Sequence, residues 1–358
     1  MTITPPQRKL RELCAVLLLG SVLASTAHAQ GNADAPEPYH SSAEVAARLY
    51  GAYLPQQAQR LEQASNALEA ALRLHCKREA PLAQAQAAWQ DALAAWDGMY
   101  TVPVGPLLQR RSQRRIDFWP TRPALIERGV NRAPATLDDM ALVGTPAKGL
   151  PGLEWLLWKH APLPGTPACG YAELAAADVA AEAHALTTEL SALRDKDWRE
   201  SPEEAGAALG EWLNQWLGGL ERLRWQHMEK PLRSAQPGKP PEWPRATSRT
   251  DADSWRRQWQ VLRAQAVRAD GAAPDVPLSI EGLLLGQGHM DVARHWATAT
   301  KEADDAFSKL PRRAPEDARQ GAAVLSAGTK LKALSALFQA EVAPALNVML
   351  GFSDADGD

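Results

Sequence analysis

Apolar side chains recur every three or four residues along most of this chain, and this spacing is the strongest constraint on its fold. Ala85, Trp89, Leu93 and Trp96, for example, fall on one face of a helix. The chain is rich in Ala, Leu, Gln and Arg and poor in runs of Val, Ile and Thr, which favours helices over strands. The pattern predicts an all-α fold with at least seven substantial helices and excludes sandwiches, barrels and doubly wound sheets.

Proline and glycine mark the expected breaks between helices. We expect a helix over 41–77, kinked or split at Pro55, and a second that begins at Pro81. Residues 101–150 contain six prolines and predict an irregular stretch, of a kind that is more often functional than idle. Residues 231–253 resemble a surface connection, and 270–287 a loop with a short apolar insert. The remaining helices are expected over 149–158, 171–194, 202–229, 255–269, 288–309 and 315–350.

The first 29 residues have the pattern of a secretory signal peptide. Arg8, Lys9 and Arg11 precede an apolar stretch over 13–24, and the Ala-His-Ala run at 27–29 matches a cleavage site. A retained anchor is the alternative, although the apolar stretch is short for a membrane span. We therefore expect a periplasmic protein with a flexible leader over 30–40 and no integral membrane segment after cleavage. Association with the outer membrane stays open.

The charge balance and the cysteine content limit the kinds of partner and cofactor that the chain is expected to bind. The chain carries 39 basic and 42 acidic residues, a formal net charge of −3, which gives no electrostatic reason to expect nucleic-acid binding. Cys76 and Cys169 remain after removal of the signal peptide. Export to an oxidising compartment makes a disulfide between them one prediction, and two free buried cysteines are the other. Neither cysteine lies in the C-x-x-C-H motif of covalent haem attachment.

Tryptophan is the dominant aromatic residue, with 13 Trp against 5 Tyr and 4 Phe. Trp212 and Trp216, like Trp255 and Trp259, lie four residues apart, as do residues on one helical face. Such pairs are typical of a helix core, because amphipathic helices bury large apolar groups this way. Sugar stacking or haem contact is the alternative.

The segment Gly149–Trp158 carries a resemblance to a known family. It is similar to the signature of imelysin-like proteins (the M75 peptidase family), G-x-H-x-x-E followed by an aromatic residue and a Leu pair. Gly149, Glu154 and the Leu pair match, but Pro151 stands where the family has histidine. The loop 115–120 and the tail 350–358 add to the likeness, the tail to the subgroup typified by an imelysin-like protein of Psychrobacter.

The resemblance implies two up-and-down four-helix bundles related by duplication, with a site between them. We accordingly expect an N-terminal bundle over 41–195, with the Pro-rich loop 101–150 and the signature 149–158, and a C-terminal bundle over 196–358. A short internal likeness between residues 153–157 and 280–284 agrees with duplication, although chance could also produce it.

Pro151 bears on catalysis. A histidine three residues before Glu154 would share its helical face, where the pair could hold a metal ion or act as a base with an orienting partner. Proline has no side-chain donor or acceptor and can do neither. No other histidine restores the H-x-x-E spacing. The sequence therefore favours a protein that is not an enzyme, and leaves open iron or another divalent metal as a cofactor.

The candidate ligand-binding residues come from the signature and the Pro-rich stretch. We expect Glu154 to pair with Arg115 or to bind a ligand cation, within a small polar pocket walled by tryptophan. The alternatives are a structural contact between Arg115 and Asp117, and a Glu154 that only favours the helix start. The full set is Glu154, Arg115, Asp117, Trp119, Gly149 and Trp155.

Three functions follow as hypotheses. The first is an exported envelope protein with a binding or accessory role in iron acquisition, with iron or haem species and other envelope proteins as partners. The second is a metallopeptidase that uses Glu154 with ligands distant in sequence. The third is a polysaccharide-binding protein, suggested by the tryptophan content and by family relatives that bind acidic sugars.

Overall fold

The computed structural model describes residues 39–268 and 279–351, and all regular structure in these ranges is helical. The all-α prediction is confirmed. The described residues belong to one compact unit, and the division into bundles over 41–195 and 196–358 stays a prediction. The expected signal peptide (1–29), nearly all of the leader 30–40 and the end of the tail lie outside the described residues. No described helix is both long and apolar enough to cross a bilayer.

Sixteen α-helices follow one another in the described ranges. They are α1 Ser42–Arg48, α2 Leu54–Cys76, α3 Leu82–Tyr100, α4 Pro106–Gln109, α5 Ser112–Ile116, α6 Pro123–Arg132, α7 Leu137–Ala141, α8 Gly149–Trp158, α9 Pro167–Leu193, α10 Pro202–Glu221, α11 Lys230–Arg233, α12 Asp251–Ala266, α13 Ile280–Gly286, α14 Met290–Phe307, α15 Ala322–Leu337 and α16 Ala343–Ala345. Short 3-10 turns occupy Thr145–Ala147, Trp198–Glu200 and Ala318–Gln320.

Three π-helical segments interrupt longer helical runs, and a proline follows each of them at the same distance. Proline lacks an amide hydrogen, and its ring clashes with the carbonyl four residues earlier. That earlier carbonyl lies inside the π segment in every case, where the wider turn can accommodate the ring. The break expected at Pro55 takes this form. The segments are Leu49–Tyr53 before Pro55, Arg222–Glu229 before Pro231, and Phe338–Val342 before Pro344.

Tryptophan forms much of the helix core. Helix α2 packs against α3 and α9, and α14 packs against α15, while α12 contacts α3. Nine of the 13 Trp side chains are buried, including both members of the pairs at 212/216 and 255/259. Most buried indole N–H groups find acceptors, as in the bonds from Trp89 to the Leu150 carbonyl and from Trp216 to the Leu262 carbonyl, whereas that of Trp198 has none among the described residues. The core interpretation of the tryptophan pairs is confirmed.

Two segments contain more helix than the sequence indicates. The Pro-rich stretch 101–150 holds α4 to α7, because Pro106 and Pro123 occupy the first helical turn, where a missing amide hydrogen costs nothing. The apolar insert within 270–287 is α13, whose start is capped by the Ser279 hydroxyl. Prolines can therefore start helices as well as end them, and both expectations of irregular structure were too broad.

A disulfide joins Cys76 at the end of α2 to Cys169 at the start of α9, with 5.7 Å between their Cα atoms. It closes a loop across 93 positions of the sequence. Helices α2 and α9 are therefore joined covalently as well as by packing.

Candidate functional site

The signature segment forms α8 and packs directly against the Pro-rich stretch. Gly149 starts the helix with a φ of +70°, and a Cβ there would lie 2.6 Å from the Ile116 carbonyl oxygen and 2.7 Å from that of Arg115. Only glycine fits this approach and this backbone conformation. The requirement for glycine explains how the signature and the loop 115–120, distant from it in sequence, come together.

Glu154 points into the protein and has partners that the sequence did not indicate. Its side chain is buried, and its Oε1 accepts hydrogen bonds from the Ser248 amide at 2.7 Å and the Ser248 hydroxyl at 2.8 Å. The Arg245 Nη1 lies 3.8 Å from Oε2. Burial raises the pKa of Glu154, and Arg245 and Ser248 offset only part of that rise.

Arg245 joins Glu154 to Asp117. Its Nη2 donates to Asp117 Oδ1 at 2.5 Å, and the other Asp117 oxygen accepts from the Trp96 indole N–H at 2.9 Å. We call Asp117, Glu154, Arg245 and Ser248 the Arg245 network. Asp117 and Glu154 therefore contact the same arginine, and this cation comes from the segment 231–253.

Arg115 is not the partner of Glu154, and that prediction was wrong. Its guanidinium donates to Asp178 and to Glu182 on α9, at 2.7 Å each. Loop 115–120 turns after Ile116, so that Arg115 faces α9 while Asp117 faces Arg245. The α9 ion cluster, as we call it, consists of Arg110, Arg115, Lys148, Asp178, Glu182 and Glu189.

A cavity of about 670 Å³ opens beside the Arg245 network. Asp117, Trp119 and Arg245 line it, and Trp119 is 42% exposed. Trp155 is not among the lining residues; its ring stacks on His160 with 4.3 Å between centroids. The other polar and aromatic lining residues are Trp96, Asp97, Tyr100, Thr101, Gln113, Arg222, Gln226, His227, Lys230, Ser234, Gln236, Lys239, Glu242 and Gln258.

The π-helical segment Arg222–Glu229 supplies one wall of the cavity, and π segments often occur at functional sites. Arg222 donates to the carbonyl oxygens of Tyr100 and Thr101, and its guanidinium lies 5.0 Å from the centre of the Tyr100 ring. Pro231, just beyond the segment, favours this local widening. The sequence analysis treated 202–229 as an ordinary helix and therefore missed this wall.

His227 on this wall is neutral at physiological pH, because burial and the nearby Arg222 lower its pKa to about 4. The Gln258 side-chain nitrogen donates to Ser254, so its oxygen faces His227 Nδ1 at 3.0 Å. Nδ1 must then carry the proton, which leaves Nε2 as an acceptor. His227 thus offers the cavity an acceptor and no charge.

Asp97 lies near the end of α3 and, like His227, lines the cavity. Its oxygens accept from Ser254 at 2.9 Å and from Arg257 at 3.0 Å. Burial raises the pKa of Asp97 to about 6, although Arg257 and Arg245 act against this rise. Its charge near neutral pH is therefore matched by arginine and adds no free negative charge to the cavity.

The residues at the signature do not fit a metal ion held in the family's H-x-x-E manner. Pro151 is buried in α8 and offers no donor atom, and one Glu154 oxygen is taken by two bonds from Ser248. Arg245 beside the other oxygen would repel a metal cation. In the part of the chain that the structure describes, no three His, Cys, Asp or Glu side chains are grouped to hold a metal.

Comparisons with known proteins agree with this fold and with the signature. An imelysin-like protein from Psychrobacter arcticum 273-4 superposes with a TM-score of 0.71 at 19% identity, covering 88% of this chain and 99% of that chain. A candidate iron-regulated protein A precursor from Parabacteroides distasonis ATCC 8503 superposes with a TM-score of 0.69 at 12% identity, covering 88% and 97%. No curated protein matches the sequence. The imelysin family, peptidase M75, matches residues 50–338, and the chain therefore belongs to the imelysin family.

Proposed function

We propose that this protein is an exported, non-catalytic binding protein of the cell envelope that serves iron acquisition. One observation carries the proposal: the signature Glu154 contacts Arg245 and Ser248 instead of a histidine, and an open cavity lies beside this network. A buried carboxylate held by an arginine and two donors is poorly placed to act as a base or a metal ligand. A polar cavity with aromatic walls suits reversible binding.

Export is supported by two features. The signal-peptide pattern at 1–29 predicts secretion, and a disulfide such as Cys76–Cys169 persists in oxidising compartments such as the periplasm. The link to iron rests on the family and on the structural similarity to an iron-regulated protein A precursor. We infer a periplasmic protein, associated with other envelope proteins of an iron-uptake system.

The test combines growth with binding. We expect a deletion strain to grow more slowly when a chelator limits iron, and to recover on complementation with the wild-type gene. Purified protein should quench its tryptophan fluorescence on addition of a ferric chelate or of haem. Unchanged growth, together with no binding of either iron species, would overturn the proposed function.

The metallopeptidase hypothesis has a separate test. Casein incubated with the protein should remain intact, with and without added divalent metals. Cleavage that is lost on chelation and in Glu154→Gln would establish a peptidase and overturn the non-catalytic assignment. The polysaccharide hypothesis has less support, because nine of the 13 Trp side chains are buried and cannot stack on sugars.

A further inference from the structure

The cavity has an excess of positive charge, although the chain as a whole is slightly acidic. Arg222, Lys230 and Lys239 line it, and none of them has a carboxylate within ion-pair distance among residues 39–268 and 279–351. The acidic lining residues Asp97 and Asp117 are held by Arg257 and Arg245. Glu242 is then the one remaining acidic side chain of the described lining, so positive charge prevails.

Arg245 adds a second, independent indication of a ligand. It lines the cavity and is 6% exposed, yet its buried Nη1 has no hydrogen-bond partner in the described part of the chain. The Glu154 oxygen at 3.8 Å is too distant to accept a hydrogen bond from it. A buried guanidinium nitrogen without an acceptor costs free energy, which an anion bound nearby would recover.

The aromatic residues give the cavity an apolar side. Tyr100 stacks on Trp96 with 4.7 Å between ring centroids, and the Arg222 guanidinium lies 5.0 Å from the centre of the Tyr100 ring. Trp119 is 42% exposed and also lines the cavity. Small-molecule sites commonly combine such apolar walls with a few placed charges, in volumes of roughly 300–1,000 Å³.

We propose that this cavity binds a small polycarboxylate anion, and that iron reaches it as an anionic ferric chelate and not as a bare cation. The iron part of this inference rests on the proposed function; the anion part rests on the cavity alone. Carboxylates pair well with the planar guanidinium fork of arginine and with the compact charge of the lysine ammonium group. The same cations repel a bare ferrous or ferric ion, so the chelate must carry the iron.

Binding of citrate, ferric citrate and ferrous sulfate to the purified full chain tests the proposal. Tryptophan fluorescence and calorimetry would be read at low and at high salt. We expect ferric citrate to bind about tenfold more weakly to the double variant Lys230→Gln/Lys239→Gln, since each lysine adds a long-range attraction that solvent only partly screens. The control is Lys159→Gln/Lys332→Gln, which removes the same charge from exposed positions outside the cavity lining and should bind like the wild type.

Each possible result either supports or overturns the anion site. Equal weakening in both double variants, or no binding of either citrate species, overturns the cavity as an anion site. Ferrous ion that binds more tightly than ferric citrate also overturns it, even if the growth test supports a role in iron acquisition. Citrate without iron that binds as tightly as ferric citrate, with the expected lysine dependence, supports the anion site and counts against the iron role. Both double variants are surface changes and should fold normally.

Discussion

The α9 ion cluster and the Arg245 network both pair arginine with buried carboxylates, but only the Arg245 network borders the cavity. In the α9 ion cluster, Glu182 is fully buried and accepts from Arg110, Arg115 and Ser112. In the Arg245 network, Arg245 keeps a nitrogen without a hydrogen bond and borders an open cavity. Asp178 Oδ2 in the α9 ion cluster also lacks a hydrogen bond, but the Lys148 Nζ lies 3.1 Å from it and Asp178 does not line the cavity. An ion cluster away from the cavity indicates a structural role, whereas an unsatisfied donor next to a cavity indicates a place for a ligand.

The largest expected effect comes from the α9 ion cluster. Glu182→Ala removes a fully buried carboxylate that accepts four hydrogen bonds from Arg110, Arg115 and Ser112. It should lower the free energy of unfolding by about 3–5 kcal/mol, because several charge-assisted hydrogen bonds are lost together. Urea unfolding followed by circular dichroism measures the loss. Glu302→Ala, which breaks an exposed pair with Lys330, is the control and should leave the unfolding midpoint nearly unchanged. A midpoint shift as small as the control's would remove the distinction between the two assemblies.

The second-largest effect should come from the disulfide, which joins α2 to α9, the helix that carries Glu182. Cys76→Ser/Cys169→Ser opens the loop of 93 positions between α2 and α9. It should lower the free energy of unfolding by about 2–4 kcal/mol, because the unfolded chain gains conformational entropy when the cross-link is removed. Thermal unfolding with and without reductant measures it, since reductant should lower the wild-type midpoint and leave the variant unaffected. Citrate binding at low temperature should be preserved, because the cavity residues lie elsewhere. Lost citrate binding in the folded variant would show that the two regions are coupled.

A pH dependence of the free energy of unfolding should arise from Asp251, which contacts the backbone of Arg245. Asp251 accepts from the Arg245 amide through one oxygen, while its other oxygen is buried without a partner. Burial raises the pKa of Asp251 to about 7, and nearby Glu154 contributes to the rise. Folding therefore favours the protonated form, so this group costs stability progressively as the pH rises from about 4 to about 7.

Asp251→Asn should remove that cost. At pH 8 the variant should gain about 1–2 kcal/mol in unfolding free energy relative to the wild type, and the two should converge near pH 4. Urea unfolding across this pH range measures the difference. An equal gain at every pH would mean that the titration of Asp251 does not contribute.

The sequence predicted the fold class for identifiable physical reasons, whereas the ligand-binding role of its six candidate residues stays a prediction. Helical spacing and tryptophan pairs depend on residues close together in sequence and can therefore be recognised directly. The glycine required at position 149 is likewise the first residue of the signature. The partner of Glu154 was missed because Arg245 lies 91 positions further along in a Pro-rich connection, and no local pattern indicates which arginine reaches a buried carboxylate. The clearest missed signal was Pro231, which follows a π segment just as Pro55 and Pro344 do.

The smallest effect should come from the signature residue itself. Glu154→Gln keeps an oxygen that can accept both Ser248 hydrogen bonds, and it removes a buried carboxylate whose pKa is raised by burial. The glutamine amide nitrogen would face Arg245 less favourably than the carboxylate oxygen does. This loss should nearly cancel the gain from removing a buried charge, so the free energy of unfolding should change by no more than about 1 kcal/mol. Glu154→Leu, which also leaves the Ser248 amide without an acceptor, is the sharper comparison and should cost roughly 1–3 kcal/mol. If Glu154→Gln instead cost as much as Glu182→Ala, the carboxylate charge would hold the Arg245 network together, and that network would belong with the α9 ion cluster as structure.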